Sequence, residues 1–287
     1  MACDYPLRSV LYVPGDNARA LEKARELPAD ALILDLEDGV GPAKKKEARA
    51  NIRQFFEDGG GAGKYVTVRV NGLDGEWVGD DVAAFAGSGA RAIVFPKIET
   101  PDDVTSAEVF LERGGYGEDT GLWCMIETPL GVLNAEAVAG GKGRLECLVM
   151  GTSDLVKDLH ARHTPDRQPV LYALSHCLLA ARAHDLSIVD GVHLDLGDQK
   201  AFEQSCRQGA DMGFDGKTVI HPKQIEGANK AFSPSSEDIE AAGKIVAAFD
   251  AAAQAGKGVA VVDGKLVEAL HAENAKRILA LAEKIKR

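Results

Sequence analysis

The sequence lacks any apolar segment near the roughly 20 residues that a membrane-spanning helix needs, although 45% of its residues are hydrophobic. It also lacks an excess of basic charge, because 44 acidic residues against 33 Lys and Arg give a formal net charge of −11. Binding of nucleic acid draws on a basic surface that neutralises phosphates. We therefore expect a soluble globular protein that has neither a membrane nor a nucleic acid as its partner.

Cysteine is scarce and poorly placed for cross-linking. The 5 cysteines are odd in number, lie far apart and include no C-x-x-C pair, so neither a disulfide framework nor a structural zinc site is indicated. The first residues, MACDYPLRSVLYVPG, have neither the basic start nor the small-residue cleavage site of a secretory signal. We expect reduced, mostly buried thiols and a cytoplasmic location.

Short apolar runs recur along the chain, and helical stretches separate them. Each run is apolar on consecutive residues, which suits strands buried on both faces of a parallel sheet. The eight runs are SVLYVP, ALILDLED, YVTVRVN, AIVFPK, LWCMIET, CLVMG, SIVDGVHLD and KTVIHP. Closing such strand–helix units on themselves gives a (β/α)8 TIM barrel, which we predict as the catalytic domain over residues 1–227.

The pattern changes after the eighth run. Ser233 followed by Pro234 resembles an N-cap with proline at the first helical position, and apolar residues then repeat on one helical face. The stretch VAVVDGKLV contains two apolar runs around Asp263-Gly264, which is a strong hairpin signal, and a last helix follows. We predict a helix–hairpin–helix extension over residues 228–287 that acts as a lid on a barrel mouth, its own or that of an adjacent subunit.

Polar clusters follow several of the runs, at the points where the strands should end. Since all strand C-termini of a parallel barrel open on one face, these side chains should converge there. Glu127 follows LWCMI, and Asp154 stands in GTSDL after CLVMG. Two hard oxygen ligands without His or Cys beside them suit Mg²⁺ or Mn²⁺. The alternatives are a salt-bridged Glu127 and an N-capping Asp154.

An arginine and three carboxylates should face the same barrel mouth. Arg69 ends the run YVTVRV, while Asp35, Glu37 and Asp38 end the second run. A guanidinium at a barrel mouth can hold a substrate carboxylate through two parallel hydrogen bonds. The alternative is that Arg69 is a structural partner of Asp35 or Glu37. Lys97 in FPKIE can face this mouth too, although an exposed lysine is the default expectation.

The motifs LYVPGDNARALEKA, LDLEDGV, VRVNG, FPKIE, MIETPLG, MGTSDL and IHPKQI occur in this order. With them the chain resembles the citrate lyase beta-subunit-like family of CoA-ester lyases, relatives of the HpcH/HpaI aldolases. The resemblance covers nearly the whole chain and includes the tail hairpin. It implies a β/α barrel, assembled as a homotrimer or hexamer, that uses Mg²⁺ to cleave or form a 3-hydroxyacyl-CoA ester. Malyl-CoA, β-methylmalyl-CoA and citramalyl-CoA are such esters, and glyoxylate or pyruvate is the 2-oxo acid.

The resemblance also implies roles for residues at the barrel mouth. Glu127 and Asp154 match the family's metal ligands, and Arg69 matches its carboxylate-binding arginine. Gly151 and Thr152, in the same GTSDL motif as Asp154, are assigned to the substrate site because small residues let the backbone approach a ligand.

Further acidic and basic residues receive roles in the same way. Asp35, Glu37 and Asp38 match the family's acidic strand end, which supports metal-bound water and Arg69, and we assign Glu37 and Asp38 to catalysis. Arg19 and Lys23 fall in the stretch after PGD whose basic residues meet CoA phosphates. The alternative is that both are exposed helix charges.

The sequence departs from the family pattern at the end of the tail hairpin. Many relatives have an aspartate there, supplied by the adjacent subunit, as the base that removes a proton from the α-carbon of the acyl-CoA; this chain has Glu268. The longer arm displaces the carboxylate, and a misplacement of about 1 Å can cost roughly a hundredfold in rate. His271, one helical turn later, either assists or is a surface residue.

The sequence thus predicts a Mg²⁺-dependent lyase that acts on a small 3-hydroxy-dicarboxylyl-CoA thioester through a metal-bound 2-oxo acid. Glu268 keeps a second prediction open, a (3S)-malyl-CoA thioesterase of the same family. A third is a citrate lyase beta subunit that acts on a thioester carried by a partner protein. The fourth, a metal-free binding barrel, is disfavoured by the presence of both metal ligands and Arg69.

Overall fold

The computed structural model describes residues 3–141 and 143–286. The chain divides into two compact units, and the division falls between Phe232 and Ser233. The predicted boundary at 227/228 falls inside the helix Ile225–Ala231, which packs against the first and last barrel strands.

Within the described residues of the first unit, eight parallel strands form a closed barrel, each paired with the next along the chain and the last with the first. They are β1 Ser9–Pro14, β2 Ala31–Asp35, β3 Tyr65–Arg69, β4 Ala92–Phe95, β5 Gly121–Ile126, β6 Leu145–Met150, β7 Ser187–Asp190 and β8 Gly216–Val219. Each lies within one of the apolar runs or begins one or two residues before it, so the predicted TIM barrel is confirmed. The runs are apolar on consecutive residues because their side chains alternate between the barrel interior and the layer under the helices.

Helices follow the strands and cover their outer face. They are α1 Ala18–Ala24, α2 Lys45–Glu57, α3 Val78–Ala84, α4 Pro101–Gly114, α5 Pro129–Leu133, α6 Ala135–Ala139, α7 Thr152–Asp158, α8 Leu171–Ala183, α9 Gln199–Met212 and α10 Ile225–Ala231. Local signals set their ends: Thr100 caps α4 in a capping box with Asp103, and Gly115, with a φ of 83°, ends it.

The strand register brings the polar strand ends to one level. Asp35 at the end of β2 is paired with Pro14 of β1 on one side and with Arg69 of β3 on the other. Ile126 of β5 is paired with Met150 of β6 in the same way, so the residues that follow these two strands are also neighbours. The barrel therefore gathers residues that are far apart in sequence.

The second unit consists of a helix, a hairpin and a helix, as predicted. Its elements are α11 Ser236–Gln254, β9 Ala260–Val262, β10 Lys265–Val267 and α12 Ala269–Ile285. The turn between the two strands has Asp263 at φ 49° and Gly264 at φ 75°. Two successive positive φ angles match the twist of a two-residue hairpin, which is why Asp-Gly is favoured there.

The predicted N-cap of α11 at Ser233 is wrong. Ser235 is the N-cap, and its hydroxyl accepts a hydrogen bond from the Asp238 N–H at 3.0 Å. The Asp238 carboxylate in turn accepts the Ser235 N–H at 3.0 Å. Of the two serines that flank Pro234, only the second has an acidic residue three positions later, so only it can form this reciprocal pair.

The cysteine side chains are buried, as expected from the sequence. Five buried cysteines outside any disulfide bond occur among the described residues: Cys3, Cys124, Cys147, Cys177 and Cys206. A search of the helices in the described part of the chain finds none that is both long and apolar enough to cross a membrane.

Candidate active site

A cavity of about 330 Å³ opens at the C-terminal ends of the barrel strands. Its polar lining comprises Asp35, Asp38, Arg69, Glu127, Thr152, Ser153 and Asp154, together with the backbone of Gly39 and Gly151. The rest of its lining is apolar or aromatic and comprises Tyr12, Pro14, Met125, Met150, Val192, Leu194 and Ile220. A mostly apolar pocket with a few convergent polar groups is typical of a small-molecule site. The predicted residues Asp38, Arg69, Glu127, Gly151, Thr152 and Asp154 are therefore brought together.

Glu127 follows β5 directly and is only 2% exposed. One of its carboxylate oxygens, Oε1, accepts the backbone N–H of Lys97 at 2.9 Å. Among the ion pairs of the described residues none includes Glu127, so the salt-bridged alternative is not realised. Burial raises the pKa of Glu127 to about 8; Arg69 opposes this rise, while Glu37 and Asp154 add to it. A divalent cation would supply the positive charge that this buried carboxylate lacks.

Asp154 lies in the first turn of α7, and its carboxylate accepts Lys157 Nζ at 3.2 Å. The N-cap of α7 is Gly151, so the alternative that Asp154 is the N-cap is wrong. Gly151 itself is needed for space, because an added Cβ would lie 2.5 Å from Glu127 Oε2. A glycine at this position lets the β6–α7 backbone lie directly against the Glu127 side chain.

Glu127 and Asp154 fit a hard divalent cation such as Mg²⁺. Both offer carboxylate oxygens, which Mg²⁺ prefers, and their mutual repulsion in the absence of a cation contributes to the raised pKa of Glu127. The described residues contain no group of three or more His, Cys, Asp or Glu side chains placed to hold a metal. Water and substrate would therefore complete the coordination shell, as is usual for Mg²⁺.

Arg69 is buried at the end of β3 and is held by two carboxylates. Its Nε and Nη2 donate to the two oxygens of Asp35, both at 2.7 Å, and Nη1 lies 2.8 Å from Glu37 Oε2. The guanidinium carbon lies 5.0 Å from the centre of the Tyr12 ring. The alternative of a structural ion pair is thus realised. These contacts do not use up the N–H groups of the guanidinium, and Arg69 also lines the cavity, so binding of a substrate carboxylate stays a prediction.

The three carboxylates after β2 have different environments. Asp35 accepts the backbone N–H groups of Glu37 and Gly39 as well as Arg69, and although burial raises its pKa, Arg69 and these hydrogen bonds lower it below the ordinary value. Glu37 is buried between Arg69 and the ammonium of Lys97. Asp38 has a side chain that is 61% exposed, and partial burial together with Glu37 raises its pKa to about 6. Asp38 is the carboxylate best placed to exchange a proton in the cavity.

Sequence reasoning missed Lys45. Its ammonium is buried and donates to the carbonyl oxygens of Leu36 and Glu37 at 2.6 and 2.9 Å and to Asn71 Oδ1 at 2.7 Å. It therefore holds the backbone that carries the three carboxylates. Lys45 is the middle residue of KKK, and because its neighbours are identical in type, no signal in the sequence separates it from surface charges.

Sequence reasoning also missed the apolar part of the cavity. Tyr12 and Met125 are inward-facing residues of strands, while Val192, Leu194 and Ile220 belong to loops beyond β7 and β8. Isolated apolar residues in loops have no periodicity to identify them.

The predicted CoA contacts are not among the residues that line this cavity. Arg19 and Lys23 are exposed on α1, so their role in binding phosphates stays a prediction. Glu268, in the second unit, is the N-cap residue of α12 and is exposed. His271 Nδ1 accepts the Glu268 N–H at 3.1 Å, which gives His271 a helix-capping contact. The role of Glu268 as a base also stays a prediction.

The amino-acid sequence of this chain is similar to those of known proteins. The HpcH/HpaI aldolase/citrate lyase pattern matches residues 8–222. A (3S)-malyl-CoA thioesterase of Cereibacter sphaeroides is 50% identical over 281 residues, which cover 98% of this chain and 96% of the relative. The citrate lyase subunit beta of Escherichia coli is 34% identical, over 96% of this chain and 93% of the relative.

A solved structure agrees in architecture. The protein CitE from Mycobacterium tuberculosis, determined in complex with magnesium, acetoacetate and coenzyme A, superimposes with a TM-score of 0.77 at 26% identity. The match covers 99% of this chain and 100% of that one. Since the family pattern spans the barrel and the relatives match along nearly their full length, this chain belongs to the HpcH/HpaI aldolase/citrate lyase family.

Proposed function

We propose that this protein hydrolyses a small dicarboxylyl-CoA thioester of the (3S)-malyl-CoA type, with Mg²⁺ held by Glu127 and Asp154. The observation that carries this proposal is the 50% identity to a (3S)-malyl-CoA thioesterase over 98% of the chain. The motifs alone favour carbon–carbon cleavage, and this similarity reverses the order of the two candidates. The cavity lining combines Arg69 with apolar residues such as Val192 and Leu194, which supports an acyl ester with one charged end.

Arg69 is the proposed anchor of the substrate. Its guanidinium lines the cavity next to Glu127 and binds the free carboxylate of the acyl group through its remaining N–H groups. The apolar residues Val192 and Leu194 contact the thioester arm. These contacts direct the acyl carbonyl towards Glu127 and Asp154.

The proposed hydrolysis needs a polarised carbonyl and an activated water. The cation, when bound, supplies positive charge that polarises the acyl carbonyl. Asp38, with a pKa raised to about 6 by burial and Glu37, is mostly ionised at pH 7 and takes a proton from the attacking water. The oxygen–carbon bond forms, the carbon–sulfur bond breaks, and the departing thiolate takes up the proton that Asp38 received from the water. The products are malate and free CoA.

The second candidate is cleavage of the same ester to a 2-oxo acid and a shorter acyl-CoA. The 34% identity to a citrate lyase subunit beta favours it. It requires a group that exchanges a proton with the α-carbon of the acyl-CoA, and Glu268 is the proposed residue. For this candidate the extension, residues 228–287, is proposed as a lid on an adjacent subunit of a homotrimer or hexamer. The carrier-protein variant of this reaction would need a partner protein for activity.

Product analysis separates the candidates. The purified protein is incubated with (3S)-malyl-CoA and Mg²⁺, and malate, free CoA, glyoxylate and acetyl-CoA are each quantified. Malate and CoA in equal amounts support the thioesterase, whereas glyoxylate with acetyl-CoA contradicts it and supports the lyase. Glu127→Gln in parallel should abolish either reaction. Absence of turnover with both malyl-CoA and citramalyl-CoA would contradict both candidates.

A further inference from the structure

Lys97 adopts a backbone conformation that side chains with a Cβ rarely adopt. Its φ is 55°, in the left-handed region, directly after β4. In this conformation the Lys97 N–H donates to Glu127 Oε1 at 2.9 Å, while the next N–H, of Ile98, donates to the Met125 carbonyl at 3.1 Å. A strained residue whose backbone donates to a candidate metal ligand indicates a functional constraint at this position.

The side chain of Lys97 contacts a second carboxylate of the same site. Its ammonium lies 2.7 Å from Glu37 Oε1, and the other oxygen of Glu37 lies 2.8 Å from Arg69 Nη1. Glu37 therefore bridges two cations. Lys97 itself is 46% exposed and is not among the residues that line the cavity. Its ammonium therefore contacts the site through Glu37, which in turn contacts Arg69.

The charges of this group have a direct consequence for anion binding. Arg69 alone faces the two buried carboxylates of Asp35 and Glu37, which gives these three groups a net charge of −1. With Lys97 the sum is zero. Asp38 is farther from Arg69, at 3.9 Å, and mostly solvated, so its charge is better screened. Lys97 thus offsets one of the two negative charges that Arg69 faces, so a substrate carboxylate that approaches Arg69 meets less repulsion with Lys97 than without it.

The same ammonium has the opposite effect on a cation. Lys97 lowers the energy of negative charge on Glu127, and its own positive charge opposes a second positive charge nearby. Removal of the ammonium should therefore weaken anion binding and should not weaken Mg²⁺ binding. A purely structural role would weaken both.

We infer that Lys97 is a positioning residue that prepares this site for an anionic acyl group. Its backbone N–H donates a hydrogen bond to the Glu127 carboxylate, and its ammonium offsets the charge of Glu37 so that Arg69 can bind a carboxylate of the substrate. This inference rests on the proposed function in one respect, the assignment of Arg69 as the carboxylate anchor.

The test measures two affinities by titration calorimetry: Mg²⁺ to the metal-free protein, and pyruvate to the Mg²⁺-loaded protein. Lys97→Met should bind pyruvate about tenfold more weakly and Mg²⁺ at least as tightly as the unaltered protein. Lys97→Arg, which keeps the charge, should restore pyruvate binding to within about threefold. Lys97→Gly should bind both ligands as Lys97→Met does. It should unfold at a higher temperature than Lys97→Met, because glycine adopts a positive φ without strain.

The following results would contradict the proposed role of Lys97. If Lys97→Met loses affinity for Mg²⁺ and pyruvate together, or changes neither affinity, Lys97 does not have this role. The same holds if Lys97→Arg fails to restore pyruvate binding. If the unaltered protein binds neither Mg²⁺ nor pyruvate, the proposed function fails as well. If the unaltered protein binds both ligands, and Lys97→Met does not lose pyruvate affinity while it keeps its Mg²⁺ affinity, this inference alone is overturned.

Discussion

Asp35 and Arg69 form a bidentate ion pair across neighbouring strands, with both nitrogen–oxygen distances at 2.7 Å. The two residues are partners in the register of β2 and β3, each at the last position of its strand. The pair is buried, and its two hydrogen bonds fix the orientation of the guanidinium. The cavity therefore contains an arginine whose orientation is set before any ligand arrives.

The first prediction concerns this pair. Asp35→Asn removes one buried charge and leaves Arg69 with Glu37 and the more distant Asp38. We expect a loss of about 3 kcal/mol in the free energy of unfolding, since breaking a buried ion pair typically costs that much. Urea denaturation of the variant and of the unaltered protein measures this loss. Asp74→Asn is the control, because Asp74 is exposed in the segment after β3, and it should change stability by less than about 0.5 kcal/mol. Equal effects of the two substitutions would contradict the prediction.

The second prediction concerns pH. Burial raises the pKa of Glu127 from 4.5 to about 8, so its contribution to stability is complete below pH 4.5 and is lost as the pH rises through about 8. In metal-free protein, the free energy of unfolding should therefore fall between pH 5 and pH 8 relative to that of Glu127→Gln. Mg²⁺ should raise the melting temperature more at pH 8 than at pH 6, because ionised Glu127 binds it. Melting curves in EDTA and in Mg²⁺ measure both effects, and a stability difference between the two proteins that does not vary with pH would refute the prediction.

The third prediction concerns the space beside Glu127. Gly151→Ala places a methyl group 2.5 Å from Glu127 Oε2, so the carboxylate must move, and we expect Mg²⁺ affinity to fall at least about tenfold with a loss of about 1–3 kcal/mol in stability. Gly79→Ala is the control, because a Cβ there meets no atom within 4 Å. Unchanged Mg²⁺ affinity in Gly151→Ala would argue against Glu127 as a metal ligand.

The fourth prediction concerns Lys45. Lys45→Met removes three hydrogen bonds and leaves the buried carbonyls of Leu36 and Glu37 without this donor. We expect a loss of about 2–3 kcal/mol in the free energy of unfolding and a lower kcat/KM, because the segment that carries Glu37 and Asp38 loosens. Lys44→Met removes only an exposed contact with Glu47 and should change neither quantity measurably. Similar behaviour of the two variants would mean that Lys45 does not hold this segment.

Much of the fold could be predicted from local patterns. Consecutive apolar residues identify a strand buried on both faces, and Asp263-Gly264 identifies a two-residue hairpin turn, because in each case the determining interactions lie within a few residues. The grouping of Glu127 with Asp154 and Arg69 could also be predicted, since parallel strands in a barrel must all end on one face. The N-cap of α11 could not be assigned so simply, because two serines flank Pro234 and only the hydrogen bond to Asp238 distinguishes them.

The sequence by itself determined the barrel, the helix–hairpin–helix extension and the convergence of the carboxylates on one mouth, because hydrophobic periodicity and strand direction are properties of the chain alone. Only the tertiary structure decided that Lys45 is the buried lysine of three in a row, and that Lys97 adopts a left-handed backbone to donate to Glu127. It also decided that Asp35 and Glu37 share Arg69. These relationships join residues on different strands and loops, and the partner of a charged side chain depends on distances that exist only after the barrel has closed.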